Sequence, residues 1–144
     1  MKLKIDNDSL IEGFFEDSKL MGIVAPIKDY RFCWFLNRIL QIDFRLNNNI
    51  EIELVKKKRR YFFSVFEYTE KGTTKTHYLY NNQFDGEYLL PEFRHLDFLW
   101  LIKDENMREE EFPFLLNSIR TIPAVQLITE MTNEKIRNKQ HLIF

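Results

Sequence analysis

Residues 60–68 narrow the choice of fold more than any other segment of this 144-residue sequence. Apolar side chains fill both alternating sets of positions in it, with Tyr61, Phe63 and Val65 in one set and Phe62, Phe66 and Tyr68 in the other. Because successive side chains of a β-strand point to opposite faces, a strand here is apolar on both sides. The segment therefore predicts a strand in a sheet covered on both faces, and a partner chain would serve as one of the covers.

Further strands are predicted wherever short apolar or alternating runs are bounded by turn residues. These runs are residues 20–25, 50–55, 75–80, 96–102 and 125–131. Residues 71–74 indicate a turn, so the strands on either side of it form a hairpin.

Two long helices are predicted from apolar residues at helical spacing. The first covers residues 27–41, with Pro26 in a first turn that tolerates its missing N–H. Its predicted core face consists of Phe32, Cys33, Phe35, Leu36, Ile39 and Leu40. The second helix begins near Phe112, just after three glutamates that favour a helix amino terminus. A short terminal helix is expected over residues 133–138, after a Thr132 cap.

The order of these elements is strand, helix, several strands, helix and strand. It predicts an α+β fold with two layers, in which a mainly antiparallel sheet carries both main helices on one face, in the manner of a split βαβ unit. The 44% hydrophobic content supports a real core, and no linker interrupts the sequence, so residues 1–144 are expected to form a single domain.

The net charge of −1 argues against a strong overall attraction to nucleic acid or to an anionic membrane. Cys33 is the only cysteine, which excludes an intrachain disulfide and a cysteine-based zinc site. The first apolar stretch, residues 20–26, is too short for a signal peptide or a membrane span. We therefore expect a cytoplasmic protein with no membrane partner.

Three separated segments resemble the IPExxxVDY family, a group of small proteins known mainly from Bacteroidetes. The motif segment runs from Leu90 to Phe98, in which Pro91, Glu92 and Asp97 match the family pattern as written. Residues 20–23 with 28–37, and 122–126 with the closing residues 142–144, are also similar to this family. The family has no assigned activity, so the resemblance implies a bacterial cytoplasmic protein without naming its role.

The outer side of the first predicted helix favours a protein-binding surface. Tyr30, Arg31, Trp34 and Arg38 cluster there, and these residue types are enriched at binding hot spots. The alternative is that more of the chain covers this side, or that the arginine stems merely shield the rings. Our leading hypothesis is a non-catalytic interaction or regulatory module that binds another protein or pairs with a second copy as a homodimer.

Three carboxylates invite a different hypothesis. Asp29, Glu92 and Asp97 could line one cleft with Arg31, as in a small hydrolase or transferase. The structural alternative is that each of them caps backbone N–H groups or pairs with a cation, because ion-pair networks also make carboxylates look special.

The basic run before the aromatic strand suggests single-stranded RNA binding as the alternative function for residues 56–68. Lys56, Lys57, Lys58, Arg59 and Arg60 would contact phosphates, while Tyr61 and Phe63 would stack on bases. The match to an RNA-recognition signature is incomplete, because Arg60 and Phe62 stand where small residues are required. The simpler interpretation of the basic run is a solvated hairpin turn.

The sequence gives no reason to expect a metal, a cofactor or an assignable catalytic residue. His77, His95 and His141 are scattered, and Cys33 on an apolar helix face is expected to pack rather than react. The nucleophile-elbow, zinc-protease and phosphate-loop motifs are missing from the sequence.

Overall fold

The computed structural model describes residues 2–132 and 135–144, with side chains from Ser9 onward. The helices are α1 (Lys2–Phe15), α2 (Asp29–Leu40) and α3 (Glu111–Arg120), and short 3₁₀ turns cover Pro91–Phe93 and Lys139–Leu142. The strands are β1 (Ser18–Val24), β2 (Arg45–Leu46), β3 (Ile52–Lys56), β4 (Arg59–Phe63), β5 (Val65–Thr69), β6 (Thr76–Asn81), β7 (Gln83–Phe84), β8 (Glu87–Tyr88), β9 (Phe98–Lys103) and β10 (Leu127–Met131). Within the described ranges, no helix combines the length and apolar character that crossing a membrane requires.

A six-stranded sheet in the order β10-β1-β9-β6-β5-β2 forms the centre of the molecule. Every neighbouring pair in it is antiparallel. Strands β9 and β10 both run antiparallel to β1, so they are parallel with β1 between them, and α3 connects them. This is a split βαβ unit, and the predicted α+β fold class with a mainly antiparallel sheet is confirmed.

Both main helices pack on one face of this sheet, as predicted. Phe32 and Leu36 of α2 and Ile119 of α3 are buried there against Met21 of β1 and Trp100 of β9. Ile39 departs from the predicted core face of α2, because it is 43% exposed. The helix also begins two residues later than predicted, at Asp29, since a tight turn from Ala25 to Ile27 precedes it.

Other segments of the same chain cover the opposite face of the sheet. The separate β3–β4 hairpin places Ile52 and Phe63 over it, next to Leu99 and Leu101 of β9. The end of α1 packs there too, where the ring of Phe14 meets that of Phe144 at 5.3 Å. Helix α1 was not predicted from the sequence.

The predicted single strand over residues 60–68 is wrong, because the chain breaks at Ser64 into β4 and β5. The carbonyl of Ser64 accepts a hydrogen bond from Asn81 N–H, while β4 pairs with β3 and β5 with β6. The terminal helix predicted over residues 133–138 begins outside the described residues. Residues 135–138 are not α-helical, and the 3₁₀ turn Lys139–Leu142 follows them.

Asn82 holds the loop that leads into β9. Its side chain has no solvent exposure, donates to the carbonyls of Phe93 and Leu96 at 3.0 and 2.9 Å, and accepts from Leu90 N–H at 2.8 Å. Both the N–H₂ group and the oxygen of this buried amide have hydrogen-bond partners, so one side chain holds three points of the loop in place.

Replacing Asn82 by alanine should lower the free energy of unfolding by about 3 kcal/mol or more, because two buried carbonyls and one N–H lose their partner. Urea denaturation measures this difference. The neighbouring variant Asn81→Ala is the matched control, since Asn81 is partly exposed and its hydrogen bond to Asp29 is long at 3.4 Å. Equal loss in both variants would contradict this role of Asn82.

Candidate functional site

A cavity of 470 Å³ lies on the helix side of the sheet, between the end of α2, the start of α3 and strands β5, β6 and β9. Its walls are mainly apolar and include Leu40, Ile42, Tyr68, Trp100, Met107, Phe112 and Leu115. A few polar side chains meet at one part of it, namely Glu70, Lys75, His77 and Glu111. An apolar cavity of this size with a few convergent polar groups has the usual make-up of a small-molecule site.

His77 is the buried polar group of this cavity, with 4% of its surface exposed. Its Nδ1 accepts a hydrogen bond of 3.0 Å from the indole N–H of Trp100. Because an indole only donates, Nδ1 must carry the lone pair, and the proton of the neutral ring is therefore on Nε2. This Nε2–H is buried without a hydrogen-bond partner, and Glu70 Oε1 lies 3.6 Å from it.

Burial holds the pKa of His77 down to about 4, with the nearby charge of Lys75 adding to the effect. The ring is therefore neutral at pH 7. Its only basic nitrogen is already occupied by Trp100, so His77 acts as a hydrogen-bond donor and not as a base.

Lys75 organises the charged end of the cavity. Its ammonium contacts Glu111 Oε2 at 2.5 Å, Glu70 Oε2 at 3.4 Å and Asp104 Oδ2 at 3.7 Å. Burial alone lowers the pKa of Lys75, but the hydrogen bond to Glu111 and the charge of Glu70 outweigh it and raise the pKa overall. Lys75 thus stays charged and ties the β5–β6 hairpin to the start of α3.

Beyond the cavity, two further features are a cysteine and the arrangement of possible metal ligands. Cys33 lies in the core, where burial and the charge of Asp29 raise the pKa of its thiol to about 12, so it is not a nucleophile at neutral pH. Across residues 2–132 and 135–144, no three histidine, cysteine or acidic side chains come together as a metal site would require.

The outer face of α2 presents the side chains that the sequence singled out. Tyr30 is 70% exposed and Trp34 54% exposed. The guanidinium of Arg38 lies 5.2 Å from the Trp34 ring, whereas Arg31 contacts Phe35 instead at 5.9 Å. No other part of the described chain covers this face enough to bury Trp34.

The acidic cleft forms only in part. Asp29 and Asp97 line one cavity of 420 Å³ near Asn81, but Arg31 and Glu92 are not among its lining residues. Asp97 accepts a 2.8 Å hydrogen bond from Ala25 N–H, and burial nevertheless raises the pKa of its carboxyl. The four residues therefore do not meet as a single site.

Glu92 instead holds the carboxy-terminal segment. It accepts hydrogen bonds from the backbone N–H groups of Arg137 and Asn138 at 2.7 and 2.8 Å, and another from the side chain of Asn138. Burial works to raise the pKa of Glu92, but these hydrogen bonds lower it overall. The predicted structural alternative, a carboxylate that caps backbone N–H groups, describes Glu92.

The basic run forms the β3–β4 hairpin. Lys57 and Lys58 are its turn, with φ angles of 51° and 66°. The other three cations face carboxylates, Lys56 with Glu87, Arg59 with Asp85 and Arg60 with Glu53. Phe63 is 3% exposed in the core, so it is not available to stack on a base. RNA binding by this hairpin stays a prediction, but of the two rings expected to stack on bases, Tyr61 and Phe63, the second is buried.

The cavity was not predicted from the sequence, although one signal for it was present. His77 and Leu79 alternate in a strand, so they share a face, and an apolar core position at Leu79 places His77 inward as well. The meeting of the hairpin with α3 is tertiary and has no local signal.

No family model matches this chain, and no curated protein matches it either. The resemblance to the IPExxxVDY family rests on the segments quoted above, and membership of that family stays a prediction.

His77 makes stability depend on pH. Its pKa is about 4 in the folded chain and about 6.5 in an unfolded one, so the unfolded state takes up the proton first as the pH falls. The contribution is complete above pH ~6.5 and should shrink by about 2 kcal/mol at pH 5. Urea denaturation at pH 7 and pH 5 measures the change in unfolding free energy between the two pH values. That change should be about 2 kcal/mol smaller in His77→Gln than in the wild type. His95→Gln, at an exposed histidine, is the control, and an equal change in both variants would contradict the assignment.

Proposed function

We propose that this protein is a non-catalytic, ligand-binding regulatory module whose cavity between sheet and helices takes a small, mainly apolar molecule. The observation that carries the proposal is that His77, whose buried Nε2–H has no hydrogen-bond partner, is one of the residues that line that cavity. A buried donor without a partner costs roughly 1 to 3 kcal/mol, so a ligand that satisfies it gains affinity there.

The construction of the cavity supports a rigid site. The sheet supplies Tyr68, His77 and Trp100 from three adjacent strands, and the bond between Trp100 and His77 fixes the histidine ring. Side chains held in this way lose little conformational entropy when a ligand binds. Met107, from the loop before α3, adds an adaptable apolar surface.

A pair of variants on α3 tests the proposal with N-phenyl-1-naphthylamine, a neutral fluorophore that brightens in apolar sites. Ser118 lines the cavity, so Ser118→Trp should fill it and weaken binding by about tenfold or more, which corresponds to ~1.4 kcal/mol. Asn117→Trp places the same ring at the neighbouring exposed position and should bind like the wild type. An absence of saturable binding to the wild type, or equal binding by both variants, would refute the proposal.

A second candidate function is the recognition of a partner protein through the outer face of α2. Its support is the exposed indole of Trp34, over which the guanidinium of Arg38 lies, together with the positive charges of Arg31 and Arg38. Within the described residues, neither arginine has a carboxylate at salt-bridge distance. The matching partner surface is therefore acidic with an apolar centre, which a second copy of this face does not provide.

Affinity capture at low salt tests this surface. A partner that depends on it should be retained by the wild type and by Phe62→Ala, an exposed aromatic elsewhere, and lost by Trp34→Ala and Arg38→Glu. Its binding should also weaken as salt rises, because the contact joins opposite charges. Retention by all four proteins would argue against a role for this face.

A further inference from the structure

We infer that the ligand of the cavity is a neutral, largely apolar molecule that carries a hydroxyl group, placed between His77 and Glu70. This inference rests on the proposed function and specifies the chemistry of the ligand.

The two polar atoms at this point require one ligand group with two roles. His77 Nε2–H can only donate, while the carboxylate of Glu70 can only accept. A hydroxyl oxygen accepts from the first and donates to the second. At the observed 3.6 Å between Nε2 and Oε1, an oxygen about 2.8 Å from both would have an angle of only about 80° between its two hydrogen bonds, so a small outward movement of Glu70 is needed before one oxygen bonds well to both.

Glu70 has to turn aside to admit that oxygen, because Nε2 is buried and Glu70 Oε1 lies only 3.6 Å from it. Its side chain is 36% exposed and has room on the solvent side. Its contacts are Lys75 at 3.4 Å and His77 at 3.6 Å, neither of them short. The carboxylate is thus the movable member of the pair, whereas Trp100 holds the histidine in place.

The charges around this point select a neutral ligand. Four carboxylates surround two cations here, with Glu70, Asp104, Glu110 and Glu111 set against Lys75 and Arg108. The excess of negative charge disfavours an anionic ligand. An ammonium group has no lone pair to accept the His77 N–H, so a cation leaves that donor unsatisfied.

The remaining walls select the body of the ligand. Tyr68, Trp100 and Phe112 present aromatic surface, and the Tyr68 ring lies stacked on His77 with centroids 5.4 Å apart. An aromatic or alicyclic ring system therefore fits the cavity, with the hydroxyl at one end.

Three probes with the same ring system test the inference: 2-naphthol, naphthalene and 2-naphthoate. NMR titration of the Trp100 indole N–H reports binding at the cavity wall itself. We expect 2-naphthol to bind on the order of 10- to 100-fold more tightly than either of the others, because naphthalene leaves the His77 donor unsatisfied and 2-naphthoate brings another negative charge beside Glu70. His77→Phe should remove the advantage over naphthalene, and His95→Gln should keep it.

Glu70→Gln gives a second readout that does not depend on altering the buried histidine. Removing one negative charge should raise the affinity for 2-naphthoate by about tenfold, an effect of roughly 1.4 kcal/mol, with little change for naphthalene. Equal binding of 2-naphthol and naphthalene, or tighter binding of 2-naphthoate by the wild type, would overturn the hydroxyl inference. If N-phenyl-1-naphthylamine still binds, the proposed function stands without it; if that probe also fails, both fall.

Discussion

The hydrogen bond from the Trp100 indole to His77 determines what the helix side of this protein can do. It joins neighbouring strands, β9 and β6, on the buried face of the sheet. Since the indole leaves no choice of tautomer, the bond turns the histidine into a fixed donor and leaves its second nitrogen unpaired. Burial then keeps the ring neutral, so the feature that stabilises the core also creates the polar point of the cavity.

The end of the sheet where β9 begins has a framing role. Asn82 fixes the loop into β9, and Asp97, at the end of that loop, accepts a hydrogen bond from the backbone of Ala25 after β1. Next to Asp97, Leu96 packs on Gly22, where an added Cβ would lie 2.5 Å from a methyl of Leu96. Glu92 and the hydroxyl of Tyr80 hold the carboxy-terminal segment. Three residues of the motif segment, Glu92, Leu96 and Asp97, thus make backbone or packing contacts, and these contacts describe a scaffold.

Local patterns were sufficient for much of the fold. Strand β1, helices α2 and α3 and the β5–β6 hairpin each have a clear period or turn signal, and their order leads to the split βαβ arrangement. Helix α1 was missed because its packing depends on Phe14 meeting Phe144 from the far end of the chain. The break at Ser64 was missed for a similar reason, since both flanking segments have the same aromatic pattern and only pairing separates them.

The candidate site was less accessible to sequence reasoning than the fold. The exposed Trp34 and Arg38 follow from helical periodicity, whereas only Asp29 and Asp97 of the four residues considered for an acidic cleft line one cavity. Glu70, His77 and Glu111 come from a hairpin and a distant helix, so the cavity that they share arises only from tertiary packing. The acidic residues of the motif, by contrast, have structural roles, because Glu92 and Asp97 both accept hydrogen bonds from backbone N–H groups.

The decisive measurement is a long-range ¹H–¹⁵N NMR spectrum of the histidine side chains at pH 7, recorded with and without 2-naphthol. The structure predicts that His77 is neutral with its proton on Nε2 and a hydrogen-bonded Nδ1, and that only its Nε2–H signal moves strongly on addition of the probe. A charged His77, a proton on Nδ1, or an Nε2–H signal unmoved while the probe is bound would contradict a binding site built on this histidine.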